Sequence, residues 1–279
     1  EATTEEDKQK VKKELKAFVK EHQIKELDLT DIYAHYSITT IGIGAFQDCK
    51  SLTNIILSDT MITKIGYDAF SGCSSLASIS LPDSMITIQN SAFWKCHALK
   101  SIVIPKNVKT IGNYAFAGCK SLINITLQNS IMSIGEYSFS GCESLRSIIL
   151  PNSITTIGQG AFSGCLSLAN IHLPDSITKI YMSTFYKCKS LTNIILPNSI
   201  TTIDKYTFDE CSSLRNITIP DSIITIGDSA FYDCKLLKKI TIPDSITTIG
   251  NCAFPPKCVV TRKSTEQSCT HTHKKQRCS

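Results

Sequence analysis

Residues 142–162 read Cys142-Glu-Ser-Leu145-Arg-Ser-Ile148-Ile-Leu150-Pro151-Asn152-Ser153-Ile-Thr-Thr-Ile157-Gly158-Gln-Gly-Ala161-Phe162. The same pattern returns on both sides of this stretch. Phe46, Phe70, Phe93, Phe116, Phe139, Phe162, Phe185, Phe208, Phe231 and Phe254 are separated by 24 residues once and by 23 eight times. Three residues after each of the first nine stands a cysteine, from Cys49 through Cys142 to Cys234. Ten chance recurrences at one spacing are not credible, so the repeat decides the fold before any other feature is weighed.

Within one unit, Leu145, Ile148 and Leu150 form an L-x-x-I-x-L core. Ile148 and Leu150 share one side of a strand, because successive side chains alternate between its faces. Pro151 ends the strand where no ladder donor is needed. Asn152 and Ser153, with Asp and Ser in other units, suit a turn because their side chains bond nearby backbone. Gly158 then gives the chain room to turn, and Ala161-Phe162 lead it back onto the core. The replacement of that glycine by Gln89, Tyr181 and Asp204 indicates a backbone position that does not demand a positive φ. The single 24-residue interval is read as an insertion at Lys64.

A period of 23 residues lies in the leucine-rich-repeat range, with one strand and one short returning segment per unit. The expected fold is therefore a leucine-rich-repeat solenoid, a right-handed curved stack of about ten coils with one parallel strand each. One coil cannot bury its apolar side alone, so the Phe, Leu and Ile columns must continue from coil to coil. Three regions follow: a capping helix in 1–23, the array in 24–258, and a basic, cysteine-containing tail or cap in 259–279. In the first, Val11, Leu15, Phe18 and Val19 recur at helical spacing, with Thr3 or Thr4 as N-cap. Ile24, Leu27 and Leu29 then begin a first, imperfect coil. At the other end the pattern breaks at Pro255-Pro256, and the chain beyond Thr261 is polar and basic. The chain opens on Glu1 rather than Met, as expected of a mature form or a fragment.

Charge narrows the partners. The 279 residues carry a net charge of +5. Residues 1–36 hold seven Lys against nine acidic residues, while 257–279 hold six Lys and Arg against Glu266. The array itself is close to neutral, and no basic face with a recognition motif argues for nucleic acid. No run of eighteen apolar residues is present, so no membrane span is expected.

Thirteen cysteines divide into two groups. The nine of the ladder read as small buried hydrophobes carrying free thiols. Cys252, Cys258, Cys269 and Cys278 cluster irregularly at the end and suit a disulfide cap of two bridges. A zinc site with His271 or His273 is the alternative, but no C-x-x-C pair supports it. The other histidines, His22, His35, His97 and His172, share no coil position. Asp59, Asp83, Asp175, Asp221 and Asp244 recur as turn formers rather than as an acid/base pair. With no nucleophile elbow, phosphate loop or H-E-x-x-H motif, neither an enzyme nor a cofactor is expected.

A ligand would meet the side chains that leave the strands outward on the concave face. These include Asn54, Asn124, Asn170, Asn193 and Asn216 just before the central core position. Ile56, Val103, Ile149, His172 and Ile195 follow just after it. Several apolar residues in one outward column suggest an interface, although β-branched side chains also simply favour strands. Asn124-Ile-Thr126 and Asn216-Ile-Thr218 match the N-glycosylation sequon on that same face.

The unit running from Cys142-Glu-Ser-Leu145 to Ile157-Gly158-Gln-Gly-Ala161-Phe162 resembles the BspA-like, or Treponema-type, leucine-rich repeats. The resemblance covers roughly 24–258. It implies a surface or secreted protein of the adhesin kind, engaging host matrix or cell-surface proteins. Ligand identity does not follow from a repeat scaffold. An intracellular interaction scaffold is the alternative, for which a reduced cysteine ladder is natural.

Overall fold

In the computed structural model, which describes residues 4–57 and 61–264, the repeat unit becomes one turn of a parallel β-solenoid of about ten turns. The chain enters through helix α1 (Glu5–Glu21). Thr4 caps it: its hydroxyl accepts from the Asp7 backbone N–H at 3.2 Å, and the Asp7 carboxylate accepts from the Thr4 N–H at 2.8 Å. This reciprocal pair satisfies two donors that a helix start leaves orphaned. Val19 is buried, and Val11 and Leu15 pack beside it on the first coil. Lys16 donates to the Gly44 carbonyl at 2.7 Å and pins the helix there. Phe18 departs from the expected seam: it is 49% exposed and lies over the His22 ring, with centroids 4.4 Å apart. The seam follows the i, i+4 line of Val11, Leu15 and Val19, which leaves Phe18 at its edge.

Glu26–Asp28 is the first rung of the strand ladder, with Leu27 opposite Ile55. A short helix, α2 (Thr30–His35), follows and buries Tyr33. No sequence signal had set it apart from the first coil. Further rungs lie at Asn54–Ile56, Ser78–Ile79, Ser101–Val103, Asn124–Thr126, Ser147–Ile148, Asn170–His172 and Asn193–Ile195. Equivalent residues pair without slippage, as in Ile148 with Ile171 and Ile171 with Ile194.

Each coil holds more regular structure than the single strand expected. A second ladder runs along the edge before the glycine column, with Ile41, Ile65, Ile88, Ile111, Ile134 and Ile157 in successive rungs of one six-stranded sheet. In each rung of this sheet the isoleucine is buried and the residue before it faces outward or is half-buried. Two-residue strands of this kind carry too little periodicity to be told from a turn in sequence.

The return segments are stacked tight turns, joined to the next coil by backbone bonds of their own. Around Phe139, the N–H groups of Tyr137, Phe139 and Gly141 donate to Gln159, Ala161 and Ser163 of the following coil at 2.7–2.9 Å. Two residues per coil take the left-handed conformation here. One stands two places after the glycine column, as Tyr114 (φ 56°) and Tyr137 (φ 51°) do, and the other precedes the cysteine. Behind them the ten Phe rings form one stack, with neighbouring centroids 5.2–5.8 Å apart and planes within 14° of parallel.

The glycine after each edge isoleucine is present for a reason other than turning. Gly112, Gly135 and Gly158 have no positive φ, as the substitutions at Gln89, Tyr181 and Asp204 implied. A Cβ on Gly112 would stand 2.6 Å from the Gln89 carbonyl carbon, so close packing of coil on coil excludes it. Where Tyr181 takes that place the edge ladder lapses. No rung joins Ile157 to Ile180 among the described residues, and Ile180 makes only an isolated bridge to Ile203.

Two boundaries move. Lys64 is not the inserted residue, since it pairs in register with Thr40 and with Thr87. Ser84 Oγ donates to the Ile62 carbonyl exactly one ladder step back, as Ser130 does to Val108, so the coil is already in phase at Ile62. The extra residue therefore lies between Leu57 and Ile62. The array also outlasts residue 258. Val259–Arg262 pairs with Lys239–Ile242 as a last strand, and the chain then crosses the turn edge, where Lys263 pairs with Asp221 and Ser264 donates to Asp244. The expected tail or cap thus begins as a strand laid on the last coil, as far as Arg262.

The nine ladder cysteines are buried free thiols. Each from Cys73 onward donates to the carbonyl of the Phe one coil back, for example Cys165 to Phe139 at 3.2 Å. At the far end Cys252 is disulfide-bonded, whereas Cys258 is a half-buried free thiol. Cys258, one of the four terminal cysteines expected to share a cap of two bridges, is instead a free thiol packed against the core. Cys269, Cys278, His271 and His273 lie outside the described residues.

Candidate strand-face interface

The strand ladder presents its outward side chains in two columns. Pairing fixes them: Asn170 stands opposite Asn193, and His172 opposite Ile195. Ser147 stands opposite Asn170, and Ser101 opposite Asn124. In the column before the central isoleucine, Asn124, Asn170, Asn193 and Asn216 are exposed. Asn54 is half-buried and accepts from Ser78 Oγ at 3.0 Å. In the column after it, Ile149 is 84% exposed, Ile195 62%, Val103 59% and Ile56 46%, with His172 exposed among them. The ladder therefore brings every expected contact residue onto one surface, and the apolar members stand clear of the core.

The relief of this surface is shallow. A cleft of about 380 Å³ crosses it between two coils, lined by Ser78, Ser80, Ser101, Val103, Lys106 and Gln128 among others. Its polar side chains are hydroxyls, an amide, and the Lys106 ammonium paired with the Asp83 carboxylate at 3.3 Å. Among the described residues no group of three or more His, Cys, Asp or Glu is arranged to hold a metal ion, and no helix is long and apolar enough to cross a membrane. Asn124 and Asn216, the two sequon residues, are exposed on this face, Asn216 near its C-terminal end.

Two features escaped sequence reasoning. Tyr67, Trp94, Tyr114, Tyr206 and Tyr232 are exposed on the return segments, and the Tyr114 and Tyr137 rings stack at 5.2 Å. Their signal was present as aromatic residues at the x positions around A-F, off every core column. The other is Asp209, a buried carboxylate whose Oδ1 has no partner. Burial pushes its carboxyl up to about 6, with the neighbouring Glu210 and Asp233 carboxylates adding to the rise and Lys187 opposing it. It occupies the position after Phe, where other coils place Gln, Ser, Trp, Ala, Tyr or Pro, and only geometry reveals its burial.

With this geometry in hand, the comparisons with known proteins speak to the repeat class. The profile of the BspA type leucine rich repeat region, in six copies, matches residues 18–146 and 132–258. A leucine-rich repeat protein from Eubacterium ventriosum has the same fold, with a TM-score of 0.50 and 20% identity over 83% of this chain and 88% of that one. A leucine rich cell surface protein from Faecalibacterium prausnitzii is 25% identical over 86% of this chain and 83% of its own, with a TM-score of 0.48. A T. pallidum leucine rich repeat protein is 30% identical over 63% of this chain and 72% of its own, with a TM-score of 0.44. No curated protein sequence matches the chain.

Proposed function

Because the chain belongs to the BspA-type leucine-rich-repeat family, we propose that it is a protein-binding module, an adhesin-like surface or secreted protein that engages host matrix or cell-surface proteins through its strand face. One observation carries the reading: Ile56, Val103, Ile149 and Ile195 stand outward in a single column of a ladder that buries its central isoleucines. Scattered surface apolars need no explanation, but a column of them held by one register is the composition of a contact surface. The remaining groups, amides and hydroxyls, orient a partner without demanding a charged or metal-bound ligand.

Capture of full-length chain on immobilised matrix proteins tests this reading. Ile149→Ser with Ile195→Ser is expected to leave the unfolding midpoint unchanged and to abolish capture. Tyr114→Ser with Tyr206→Ser, on the return face, is expected to leave capture intact. The reverse pattern would move the interface to the aromatic side. Glycans on Asn124 and Asn216 would obstruct the strand face, so mass spectrometry of natively isolated protein is expected to find both unmodified.

A second reading, an intracellular scaffold, is favoured by the nine free ladder thiols, because reducing compartments preserve thiols. The disulfide at Cys252 favours export. Titration of thiols in natively isolated, denatured protein separates the two: bridged cysteines at the C-terminal end favour the surface role, and thirteen reactive thiols favour the scaffold.

A further inference from the structure

The array is nearly neutral as a whole, yet its charges are sorted. The nine strand segments 53–57, 77–81, 100–104, 123–127, 146–150, 169–173, 192–196, 215–219 and 238–242 contain no Asp or Glu. Lys100, Arg146, Arg215 and Lys238 lie within them, each one residue after the strand-entry leucine of its coil, and all four are exposed. Of the carboxylates near the ladder's edges, Asp83 pairs with Lys106, Glu143 with Lys120 and Asp221 with Lys263, whereas Asp175 has no ion-pair partner among the described residues. Among the described residues Lys100, Arg146 and Arg215 have no ion-pair partner. Beside this basic row, three residues further along each strand, runs the column of Val103, Ile149 and Ile195.

We propose that the strand face recognises an acidic polypeptide segment that also carries apolar side chains, laid along the solenoid axis. Its carboxylates meet the row of Lys100, Arg146, Arg215 and Lys238, and its apolar groups cover Val103, Ile149 and Ile195. This rests on the reading of the strand face as the contact surface and adds the chemistry of what it contacts. Charge complementarity supplies the argument: the nine strand segments carry no carboxylate, the Asp83 carboxylate beside Val103 is paired with Lys106, and a surface of that kind attracts anions and rejects cationic partners. The isoleucines choose between anions. A sulfated glycan offers nothing apolar to cover them, whereas a peptide offers both kinds of group. The row spans six coil steps of roughly 4.8 Å each, the length of about eight or nine extended residues. The acidic residues of the first rung, Glu26 and Asp28, close the basic row at the end next to α1 and give the bound segment a polarity.

Fluorescence anisotropy of the full chain with a labelled dodecapeptide of alternating Leu and Asp tests the proposal, with an alternating Leu-Lys peptide, poly-Asp and heparin as comparison probes. Saturable binding of the Leu-Asp peptide is expected, together with weakening in about 0.5 M salt, where exposed charges are screened. Lys100→Glu with Arg146→Glu and Arg215→Glu is expected to weaken it by about tenfold or more, as is Ile149→Ser with Ile195→Ser. Should the triple variant fail to fold, Arg146→Glu alone is read. No saturable binding, indifference to charge reversal, or heparin bound as tightly and without regard to the isoleucines overturns the proposal. If matrix capture is lost with the isoleucine pair but survives charge reversal, the strand face stands and its acidic partner falls. If capture survives both, the reading of the face falls as well.

Discussion

Gly112 lies against the backbone of Gln89 so closely that a Cβ on it would stand 2.6 Å from the Gln89 carbonyl carbon. The same relation recurs at Gly135 over Asn113 and at Gly158 over Glu136. The edge of the solenoid is therefore packed backbone on backbone at these coils, and this spacing, more than any turn, favours glycine there, although Gln89 holds the same column with the rungs from Ile88 to Ile65 and Ile111 intact.

Gly112→Ala is accordingly expected to destabilise the fold by about 1–3 kcal/mol, as overpacking does. Gly141→Ala is the contrast. Its Cβ would meet nothing nearer than 3.7 Å, and the change imposes only the strain of φ +70°, about 1–2 kcal/mol. Denaturant unfolding of the two variants, with circular dichroism to confirm the fold, measures both. A harmless Gly112→Ala would mean that neighbouring coils can part at this edge without loss.

Phe139 sits in the middle of the ring stack, 5.6 Å from Phe116 and 5.5 Å from Phe162, and is fully buried. Phe139→Ala is expected to cost about 3–5 kcal/mol, from lost burial and the cavity left between two rings. A loss below about 1 kcal/mol in urea titration would contradict its burial in a single continuous core.

The ladder thiols form an internal reporter of intactness. Burial pushes Cys119 and Cys142 well above the usual thiol range, and each donates to a Phe carbonyl of the preceding coil. Thiolate, the reactive form, is therefore scarce at pH 8 in the folded chain. An aromatic disulfide reagent at pH 8 is expected to leave the ladder unmodified and to titrate it after unfolding. Rapid modification of several ladder thiols under native conditions would place them at the surface instead.

Asp209 makes stability depend on pH in the sense opposite to a salt-bridged acid. Its folded value, about 6, lies above the ordinary 3.8. The folded state therefore holds this proton more tightly, and the contribution is most favourable below the unfolded value. Stability from this group is lost as pH rises from about 4 to about 6, and the full penalty applies above that. Asp209→Asn is expected to raise stability at pH 7 by about 1–3 kcal/mol and to flatten the profile across that window. Unfolding midpoints of both proteins at pH 4, 5, 6 and 7 give the comparison, and parallel profiles would show Asp209 to be solvated.

The repeat exposed most of this molecule in its sequence, because a buried column must keep its residue type in every coil. Phe46 to Phe254, the strand cores and the outward column with Ile149 and Ile195 are legible for that reason. The same logic reads the glycine column without its cause, since a close approach between coils leaves no trace beyond the absence of a side chain. The second ladder was hidden because a pair such as Thr156–Ile157 is too short to show a period. Helix α2 replaces a return segment without a cap or a long apolar stripe to announce it. The sorting of charge onto and off the strand face emerged only once the coils were in register, since Lys100, Arg146 and Arg215 lie 46 and 69 residues apart in the chain.

The missing rung between Ile157 and Ile180 has a mechanical meaning. A chain held at one end and pulled at the other along its axis loads neighbouring coils one against the next, so they peel rather than slide. Each coil that opens exchanges about 5 Å of height for roughly 78 Å of extended chain. A protein of this design lengthens under load in steps and keeps its remaining coils intact. The seams that lack a rung among the described residues, such as those beside Tyr181 on the edge ladder and at Ile79/Ile102 and Ile125/Ile148 on the strand ladder, are where the first length is let out. Single-molecule stretching should record that release as the lowest force in the trace, and a first release from either end of the stack would show that these seams bear their share.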